Sequence, residues 1–340
     1  KYMKIYLVCQ TWSNTKNNHA GMLYLCKQLV AYNPNIKYVT VPDFKFKGGI
    51  IFRYLYYLFF SFYLFLFTRT GDCVILMEYL LSSHYDQSII AFFLKKMKPG
   101  VRIIALPHLI GKQISERFST KKILAKLKIV DSIWVLGSSL KSYFNSLGVP
   151  SNKIITTFHY VDNEYYKSTD LRKANERLRV VVMGNMQRDY DLLYKIVSNL
   201  PFINFDICAG SSNAAKVFCE FRNVTLYPFV SEDKLKMIMN TADVSLNVMK
   251  DTIGSNVIVT SMAMGLAMVV SDVGSIRDYV DDSNAIFCRT SADFIEALTV
   301  LAHDGDKLNN LRNNSVEKAN FLSISNFYNW FISEVNNVYK

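Results

Sequence analysis

The stretch Asp243–Asp278, DVSLNVMKDTIGSNVIVTSMAMGLAMVVSDVGSIRD, decides the fold class. Residues 243–248 and 267–271 are short apolar runs typical of buried strands, and residues 256–264 between them are apolar, without a helix breaker. A strand, a buried helix and a second strand in this order build a parallel β-sheet, which binds ligands at the carboxyl ends of its strands. The sequence therefore predicts an α/β protein.

The loop before the helix of this unit is a candidate anion site. Gly254 and Ser255 lie where the loop meets the start of the helix. Free N–H groups and the helix dipole make such a place suitable for a phosphate group. An ordinary crossover, in which the two residues form only a turn and a cap, explains the same pattern, so both interpretations stay open.

Similar patterns of short apolar strands and helices fill most of the 340 residues. One series runs from residue 4 to residue 158 and a second begins at residue 178. The polar stretch 163–177 between them has few large aliphatic residues and is interpreted as a linker. The chain is therefore expected to form two α/β domains of similar size, and the lack of a G-x-G-x-x-G sequence argues against a dinucleotide dehydrogenase.

Charge and cysteine usage limit the partners and the compartment. Residues 1–170 hold 22 Lys and Arg against 9 Asp and Glu, whereas the rest holds 17 against 19. An acidic partner such as a phospholipid surface is therefore expected for the first half only. The six cysteines are scattered without paired spacing, which favours free thiols in a reducing compartment and a cytoplasmic location.

The most hydrophobic segment is Ile50–Thr68, IIFRYLYYLFFSFYLFLFT. Its charge-free part, 54–67, would be about 21 Å long as a helix, short of a hydrocarbon core of about 30 Å. Arg53 and Arg69 flank this part, and tyrosine is frequent, as suits an interface. Three interpretations remain: a half-buried helix on a membrane surface, a fully buried core helix, and a transmembrane span.

A basic run at 112–128, expected to be one helix, strengthens the membrane interpretation. A solvated basic face is the simpler alternative, and nucleic acid is a rival partner for which no recognised motif is present. If the segment meets anionic lipid at the inner face of the cell membrane, the contacts are expected from these residues: Arg53, Phe59, Phe60, Phe62, Lys121 and Lys122.

Several polar or flexible residues follow predicted strands, where α/β proteins build their sites. His108 follows the strand 101–106, and both a site role and a structural role remain open for it. Gly21 precedes the helix 22–32 and lets backbone approach a ligand, whereas His19 beside it is either a site residue or a polar loop residue.

Three longer phrases together resemble glycosyltransferase family four, whose members are retaining GT-B enzymes. ADVSLNVMKDTIGSNVIVTSMAMGLAMVVSDVGSIRDYV (242–280) is similar to the donor-site unit of that family. VDSIWVLGSSLKSYFNSLGVPSNKIITTFHYVD (130–162) resembles the end of its first domain, and VVVMGNMQRDYDLLYKIVSNLP (180–201) resembles the start of its second. No single motif is sharp, but the order and spacing of the three phrases follow the family.

The resemblance implies the GT-B architecture, in which two Rossmann-like domains face each other across a cleft. Residues 1–170 would be the acceptor-binding domain with the membrane-facing segment, and residues 171–325 would bind the nucleotide sugar. Residues 326–340 would form a helix that returns to the first domain. The closest functional setting is bacterial cell-surface polysaccharide assembly, such as that of lipopolysaccharide.

The resemblance also implies the site residues. The donor-binding residues would be Gly21, Gly184, Asn185, Arg188, Gly254, Ser255, Asn256 and Thr260. Arg188 would clamp phosphate oxygens and stabilise the departing diphosphate. His108 would lie near the donor sugar as a catalytic residue, and His19 is expected to contact the acceptor. The family needs no metal and no cofactor beyond the sugar donor.

One departure from the family concerns two glutamates that normally stand eight positions apart in the donor-site unit. Thr252 and Thr260 occupy the matching positions, with Asp251 next to the first. A threonine holds ribose hydroxyls less firmly than a carboxylate, which leaves the nucleotide open. Asp251 is expected to take the place of the first acid near the anomeric carbon, as a third catalytic residue.

These observations predict a membrane-associated glycosyltransferase that moves a sugar from a nucleotide-diphosphate donor to a lipid-linked or polysaccharide acceptor. Two alternatives remain open from the sequence. A nucleotide-sugar epimerase has the same two-domain plan, although a soluble substrate does not require a lipid-seeking half. A non-catalytic GT-B-like partner protein at the membrane would explain the missing glutamates.

Overall fold

The computed structural model describes residues 3–168, 176–210 and 213–337. Two compact units are present, one formed by residues 1–158 with 324–340 and the other by residues 159–323. The first boundary therefore lies earlier than the expected position after residue 170. Residues 163–168 and 176–177 of the expected linker belong to the second unit, and its remainder lies outside the described residues.

The first unit alternates strands and helices around a parallel sheet. Its elements are β1 Ile5–Thr11, α1 Met22–Tyr32, β2 Ile36–Pro42, α2 Gly49–Phe67, β3 Cys73–Tyr79, α3 Ser88–Met97, β4 Arg102–Pro107, α4 Gly111–Arg117, α5 Thr120–Ile129, β5 Ser132–Val135, α6 Ser138–Ser146, a 3₁₀ turn Ser151–Lys153 and β6 Ile154–Thr156. The strands lie in the order β2-β1-β3-β4-β5-β6, and all neighbouring pairs run parallel.

The second unit has the same type of architecture. Its elements are β7 Arg179–Met183, α7 Tyr190–Ser198, β8 Asn204–Cys208, a 3₁₀ turn Asn213–Glu220, β9 Val224–Tyr227, α8 Glu232–Thr241, β10 Val244–Asn247, α9 Asn256–Ala263, β11 Ala267–Ser271, a 3₁₀ turn Ile276–Asp278, β12 Ala285–Cys288, α10 Ser291–His303 and α11 Gly305–Phe321. The parallel order β12-β11-β10-β7-β8-β9 reverses between β7 and β10, and such a switch point is where open α/β sheets bind ligands.

The last helix, α12 (Ile324–Asn337), belongs to the first unit. Trp330 on α12 packs against Trp134 of β5 with ring centroids 4.8 Å apart. Tyr328 stacks on Tyr32 of α1 at 5.0 Å. The C-terminal helix therefore lies on the first unit, as the resemblance implies.

Most strands were predictable because their residues are buried on both faces and read as continuous apolar runs. The sequence analysis misses β2 and β12, which are edge strands with partly exposed residues. The basic run 112–128 is two helices and not one, because Phe118 and Ser119 take extended backbone between α4 and α5. The six cysteines are free thiols, and Cys219 is the one that is exposed.

Candidate functional site

The switch point of the second sheet brings together the loop after β7 and the loop after β10. Arg188 and Met249 form an antiparallel bridge between the two loops. The Asp189 N–H donates to the Val248 carbonyl at 3.1 Å, and the Lys250 N–H donates to the Gln187 carbonyl at 2.8 Å. Backbone hydrogen bonds thus hold the predicted cationic residue beside the predicted phosphate loop.

Arg188 is a buried cation in this position. Only 9% of the residue is exposed, and its Nε and Nη1 atoms have no hydrogen-bond partner. Among the residues that the structure describes, no carboxylate forms an ion pair with it. Burial lowers the pKa of the guanidinium to about 10, so it stays charged at neutral pH. A buried charge without a partner is costly, which indicates that an anion binds here.

Gly184 provides the space into which this guanidinium extends. A β-carbon at Gly184 would lie 3.3 Å from Nη2 of Arg188 and 3.5 Å from Cγ2 of Val257. Val257 is in the first turn of α9, so the guanidinium lies close to the start of that helix. Gly184 also has a φ of 78°, which disfavours any other residue.

The start of α9 has the features of an anion site. Ser255 is the N-cap, and its hydroxyl oxygen accepts a hydrogen bond from the Ile258 N–H at 3.4 Å. The amides of Asn256 and Val257 belong to the first turn, whose N–H groups have no partner within a helix. The Oδ1 atom of Asn256 is buried without a hydrogen-bond partner. Donors, dipole and the nearby guanidinium all favour a negatively charged ligand.

Gly254 lies in the loop that leads into α9 and is confined there by its neighbours. Its φ is 91°, and a β-carbon there would lie 2.2 Å from the ring of Tyr279. The hydroxyl of Tyr279 in turn accepts a hydrogen bond from the His159 N–H at 3.0 Å. No side chain fits at Gly254 without moving the ring, so the glycine of this loop is required sterically and not only as a turn residue.

The residues that replace the two family glutamates are engaged within the unit. The Thr260 hydroxyl donates to the Asn256 carbonyl at 2.7 Å, and the Thr252 hydroxyl oxygen accepts from the Gly254 N–H at 3.0 Å. Asp251 is partly buried, and its Oδ1 atom accepts from the Thr252 N–H at 2.7 Å. Contact of Thr260 with a ribose would have to compete with its bond inside α9. Asn185 is exposed in the β7 loop.

His108 directly follows β4 in the first unit, as predicted from the sequence. Its Nε2 atom lies 2.6 Å from the carbonyl oxygen of Met77, which makes Nε2–H the donor and leaves Nδ1 unprotonated. Burial lowers the pKa of the imidazole to about 4, so the ring is neutral at physiological pH. A neutral ring held in one tautomer can act on a polar ligand, and its catalytic role stays a prediction.

The loop between β1 and α1 carries the two other predicted site residues of this unit. Gly21 is the N-cap of α1 with a φ of 92°, and no atom lies within 4 Å of the position of a β-carbon there. The His19 ring packs on Tyr24 with centroids 5.1 Å apart. In the sheet, β3 lies between β1 and β4. The loop between β1 and α1 and His108 therefore follow two strands that are separated by one other strand.

The hydrophobic segment forms α2, the one helix in the described ranges that is long and apolar enough to cross a membrane. Only 22% of it is buried, which does not fit a core helix. Phe59 and Phe62 are exposed and Phe60 is half-buried, while Lys121 and Lys122 are exposed on α5.

Arg53 is the exception among the predicted membrane residues, and that prediction is wrong. It is buried and donates to the carbonyl oxygens of Asp43, Phe44 and His84. Its guanidinium also lies 4.3 Å from the ring centroid of Tyr85. The position of Arg53 next to an apolar run indicated an arginine at a membrane interface. In the structure, loop carbonyl groups hold the side chain inside, and one of them, that of His84, is more than 30 residues away.

Sequence reasoning missed one buried acid at the switch point of the first sheet, between β1 and β3. Glu78 near the end of β3 accepts hydrogen bonds from the Gln10 N–H at 2.9 Å and from Gln87 Nε2 at 3.3 Å. Burial raises its pKa to about 8. A glutamate inside the apolar strand VILMEY was the signal that could have identified it.

No group of three or more His, Cys, Asp and Glu side chains that could hold a metal ion occurs within residues 3–168, 176–210 and 213–337. Metal independence stays a prediction, since other ligand sets are not tested by this observation.

Comparison with known structures defines the class of fold. The chain aligns with the HepE protein of Anabaena in complex with UDP at 11% identity and a TM-score of 0.74, over 98% of this chain and 100% of the other. Sucrose-phosphate synthase from Thermosynechococcus elongatus aligns at 11% identity and 0.76, over 99% of each chain. The lipopolysaccharide outer core galactosyltransferase WaaB aligns at 14% identity and 0.68, over 98% and 100%. The protein has the GT-B fold.

The sequence comparison then defines the activity. Residues 169–304 match the family model described as glycosyl transferases group 1, and this range contains the whole candidate anion site. No curated protein sequence matches the chain significantly. The second unit is therefore a glycosyltransferase domain, which favours the transferase prediction over the epimerase.

Proposed function

We propose that the protein transfers a sugar from a nucleotide-diphosphate donor to a lipid-linked or polysaccharide acceptor at the cytoplasmic face of the membrane. The transfer is proposed to retain the configuration at the anomeric carbon and to need no metal. The observation that carries the donor part is the buried guanidinium of Arg188 beside the start of α9, whose Nε and Nη1 atoms have no hydrogen-bond partner in the described part of the chain. The HepE complexes with UDP and with UDP-glucose support a uridine donor as the first choice.

In this proposal the diphosphate binds the first-turn amides of α9 and the guanidinium of Arg188. When the bond between the sugar and the diphosphate breaks, negative charge develops on the leaving group, and these donors stabilise it without reorganisation. His108 and Asp251 are proposed to act near the sugar, where the neutral imidazole accepts or donates a hydrogen bond. Gly21 is proposed to let backbone amides reach the donor as well.

The acceptor part rests on the first unit. Exposed aromatic residues on α2 and exposed lysines on α5 support contact with an anionic membrane, where a lipid-linked acceptor is available. His19 is proposed to contact this acceptor from the β1 loop.

A nucleotide screen tests the donor part. The full chain is heated with UDP, GDP, CMP or dTDP, and one nucleotide is expected to raise the thermal midpoint by mass action. Incubation of the matching nucleotide sugars with bacterial lipid extract should then transfer label into the lipid phase. A protein that is stabilised by none of the nucleotides and hydrolyses none of the sugars would sink the proposal.

A further inference from the structure

Three helices of the first unit form one cationic surface. Helices α2, α3 and α5 pack side by side. Together they contain no Asp or Glu. Of their seven basic residues, four are exposed: Lys96, Lys121, Lys122 and Lys128. Arg53 is buried, and Lys95 and Lys126 form ion pairs with Asp131 and Asp86. Helices on the surface of a protein normally carry both charge signs. This surface therefore selects for an anionic partner.

An apolar groove of about 790 Å³ lies between these helices. It is lined by apolar side chains from all three of them: Leu58, Ile89, Phe92, Phe93, Ala125 and Ile129. The volume falls within the range of small-molecule sites, which is roughly 300–1,000 Å³. A peptide or a base would leave its polar groups without partners against such walls, whereas a hydrocarbon chain has none to satisfy.

The polar residues of the groove are arranged so that its inside stays uncharged. Lys126 forms an ion pair with Asp86 at 2.5 Å and lies 2.5 Å from the hydroxyl oxygen of Ser88. This pairing neutralises the ammonium in the wall. Lys128, the other lysine that lines the groove, is exposed. One cation is thus neutralised inside, and the other can reach an anion at the rim.

The groove is continuous with the exposed apolar face of α2. Leu58 and Phe92 line the groove and are themselves 54% and 61% exposed. Leu58 stands next to Phe59 and one turn from Phe62, both exposed on the same helix. A membrane surface in contact with α2 therefore has direct access to the groove.

We propose that this groove binds one hydrocarbon chain of an anionic phospholipid, whose phosphate contacts Lys128 at the rim. The inference deepens the proposed function, because it rests on the contact of this unit with a membrane. The lipid anchors the unit by one chain, in addition to the shallow insertion of aromatic residues. A second copy of the protein is the rival occupant.

Chain-specific crosslinking tests the proposal on the full-length protein. Vesicles of phosphatidylglycerol that carry a photoreactive diazirine at mid-chain are mixed with protein, irradiated and floated, and crosslinked peptides are mapped by mass spectrometry. Crosslinks are expected in α3 and α5 as well as in α2. Ala125→Trp should fill the groove and reduce the α3 and α5 crosslinks about tenfold, while Ala125→Ser leaves them within about twofold. Because Ala125 is exposed, both variants should fold.

Two outcomes would overturn the proposal. Crosslinks confined to α2, or unchanged in Ala125→Trp, would show that lipid meets only the outer face. A dimer in sedimentation that disappears in Ala125→Trp, without crosslinks in α3 or α5, would assign the groove to a second copy. Nucleotide binding is measured on the same samples, so that the proposed function and the lipid groove are tested separately. If the protein binds no nucleotide but still gives the groove crosslinks, the proposed function alone is contradicted.

Discussion

The guanidinium of Arg188 occupies the space in front of Gly184, with Nη2 3.3 Å from the position that a β-carbon would take. The absence of a side chain at residue 184 leaves room for the guanidinium, because a β-carbon there would crowd Nη2 of Arg188 and Cγ2 of Val257. Two loops joined by backbone hydrogen bonds hold this arrangement before any ligand arrives. The arrangement is therefore the one that the proposed diphosphate site requires.

A first prediction concerns stability without ligand. Arg188→Met removes a buried charge that has no carboxylate partner in the described ranges, so the unliganded protein should gain roughly 1 kcal/mol in unfolding free energy. Urea unfolding measures the change. The control is Arg277→Met, which removes an exposed arginine paired with Asp272 and should leave stability close to that of the wild type. A clear loss of stability in Arg188→Met would show that the guanidinium has a structural role.

Gly254 gives the second prediction. Gly254→Ala places a methyl group 2.2 Å from the Tyr279 ring, in addition to the strain of a positive φ, and should cost about 3 kcal/mol or more. Gly148→Ala is the matched control, since Gly148 has a φ of 89° and open space around it. Gly148→Ala should lower the free energy of unfolding by only about 1 kcal/mol, because it adds the backbone strain of a positive φ without a steric contact. Equal losses in urea unfolding would mean that the contact with Tyr279 has no energetic weight.

His108 gives a prediction for acid. Its folded pKa of about 4 lies below the ordinary 6.5, so between these values the unfolded chain binds more protons than the folded one. Stability should therefore fall as the pH drops from about 6.5 to about 4, by at most about 3 kcal/mol. His108→Gln should flatten this part of the profile in urea unfolding at several pH values. An unchanged profile in His108→Gln contradicts the assignment.

Glu78 gives the opposite pH dependence, between acid and neutral pH. Its folded pKa of about 8 lies above the ordinary 4.5, so the folded state keeps a proton that the unfolded chain releases. Stability should fall as the pH rises from about 4.5 to about 8, by a few kcal/mol, and then level off. Glu78→Gln should remove this decline, while Glu116→Gln on the exposed face of α4 should keep it. The idea fails if both variants follow the wild type.

The exposed face of α2 gives a prediction on membrane binding. Phe59→Ser with Phe62→Ser should release the protein from phosphatidylglycerol vesicles, because both rings are more than half exposed and are the apolar groups that would enter the interface. Phe229→Ser with Phe321→Ser is the control, since these rings are equally exposed on the second unit. Flotation of the first pair at the level of the wild type would remove α2 from the membrane contact.

Much of the fold follows from the sequence because buried parallel strands read as apolar runs. The strand at 267–271 and the helix at 22–32 have the predicted bounds, whereas β2 and β12 were missed because edge strands expose half of their residues. The positions of Arg188 after β7 and of the start of α9 after β10 could be predicted from the order of strands and helices along the sequence.

The environment of single side chains could not be predicted in the same way. Arg53 is held inside by the carbonyl oxygens of Phe44, nine residues away, and of His84, 31 residues away. The Thr260 hydroxyl bonds to its own helix. The environment of Glu78 depends on Gln10, which is 68 residues away in sequence and adjacent only in the fold, and on Gln87, nine residues away. Local patterns carry no information on such contacts.

Calorimetric titration with UDP tests the central claim most directly, since it measures binding of a diphosphate without any need for the acceptor. The wild type is expected to bind, and Arg188→Met should bind about 30-fold more weakly, because a charge-assisted contact contributes roughly 2 kcal/mol. Arg277→Met should keep the wild-type affinity. If Arg188→Met binds UDP as tightly as the wild type, the diphosphate is held elsewhere and the account of this site is contradicted.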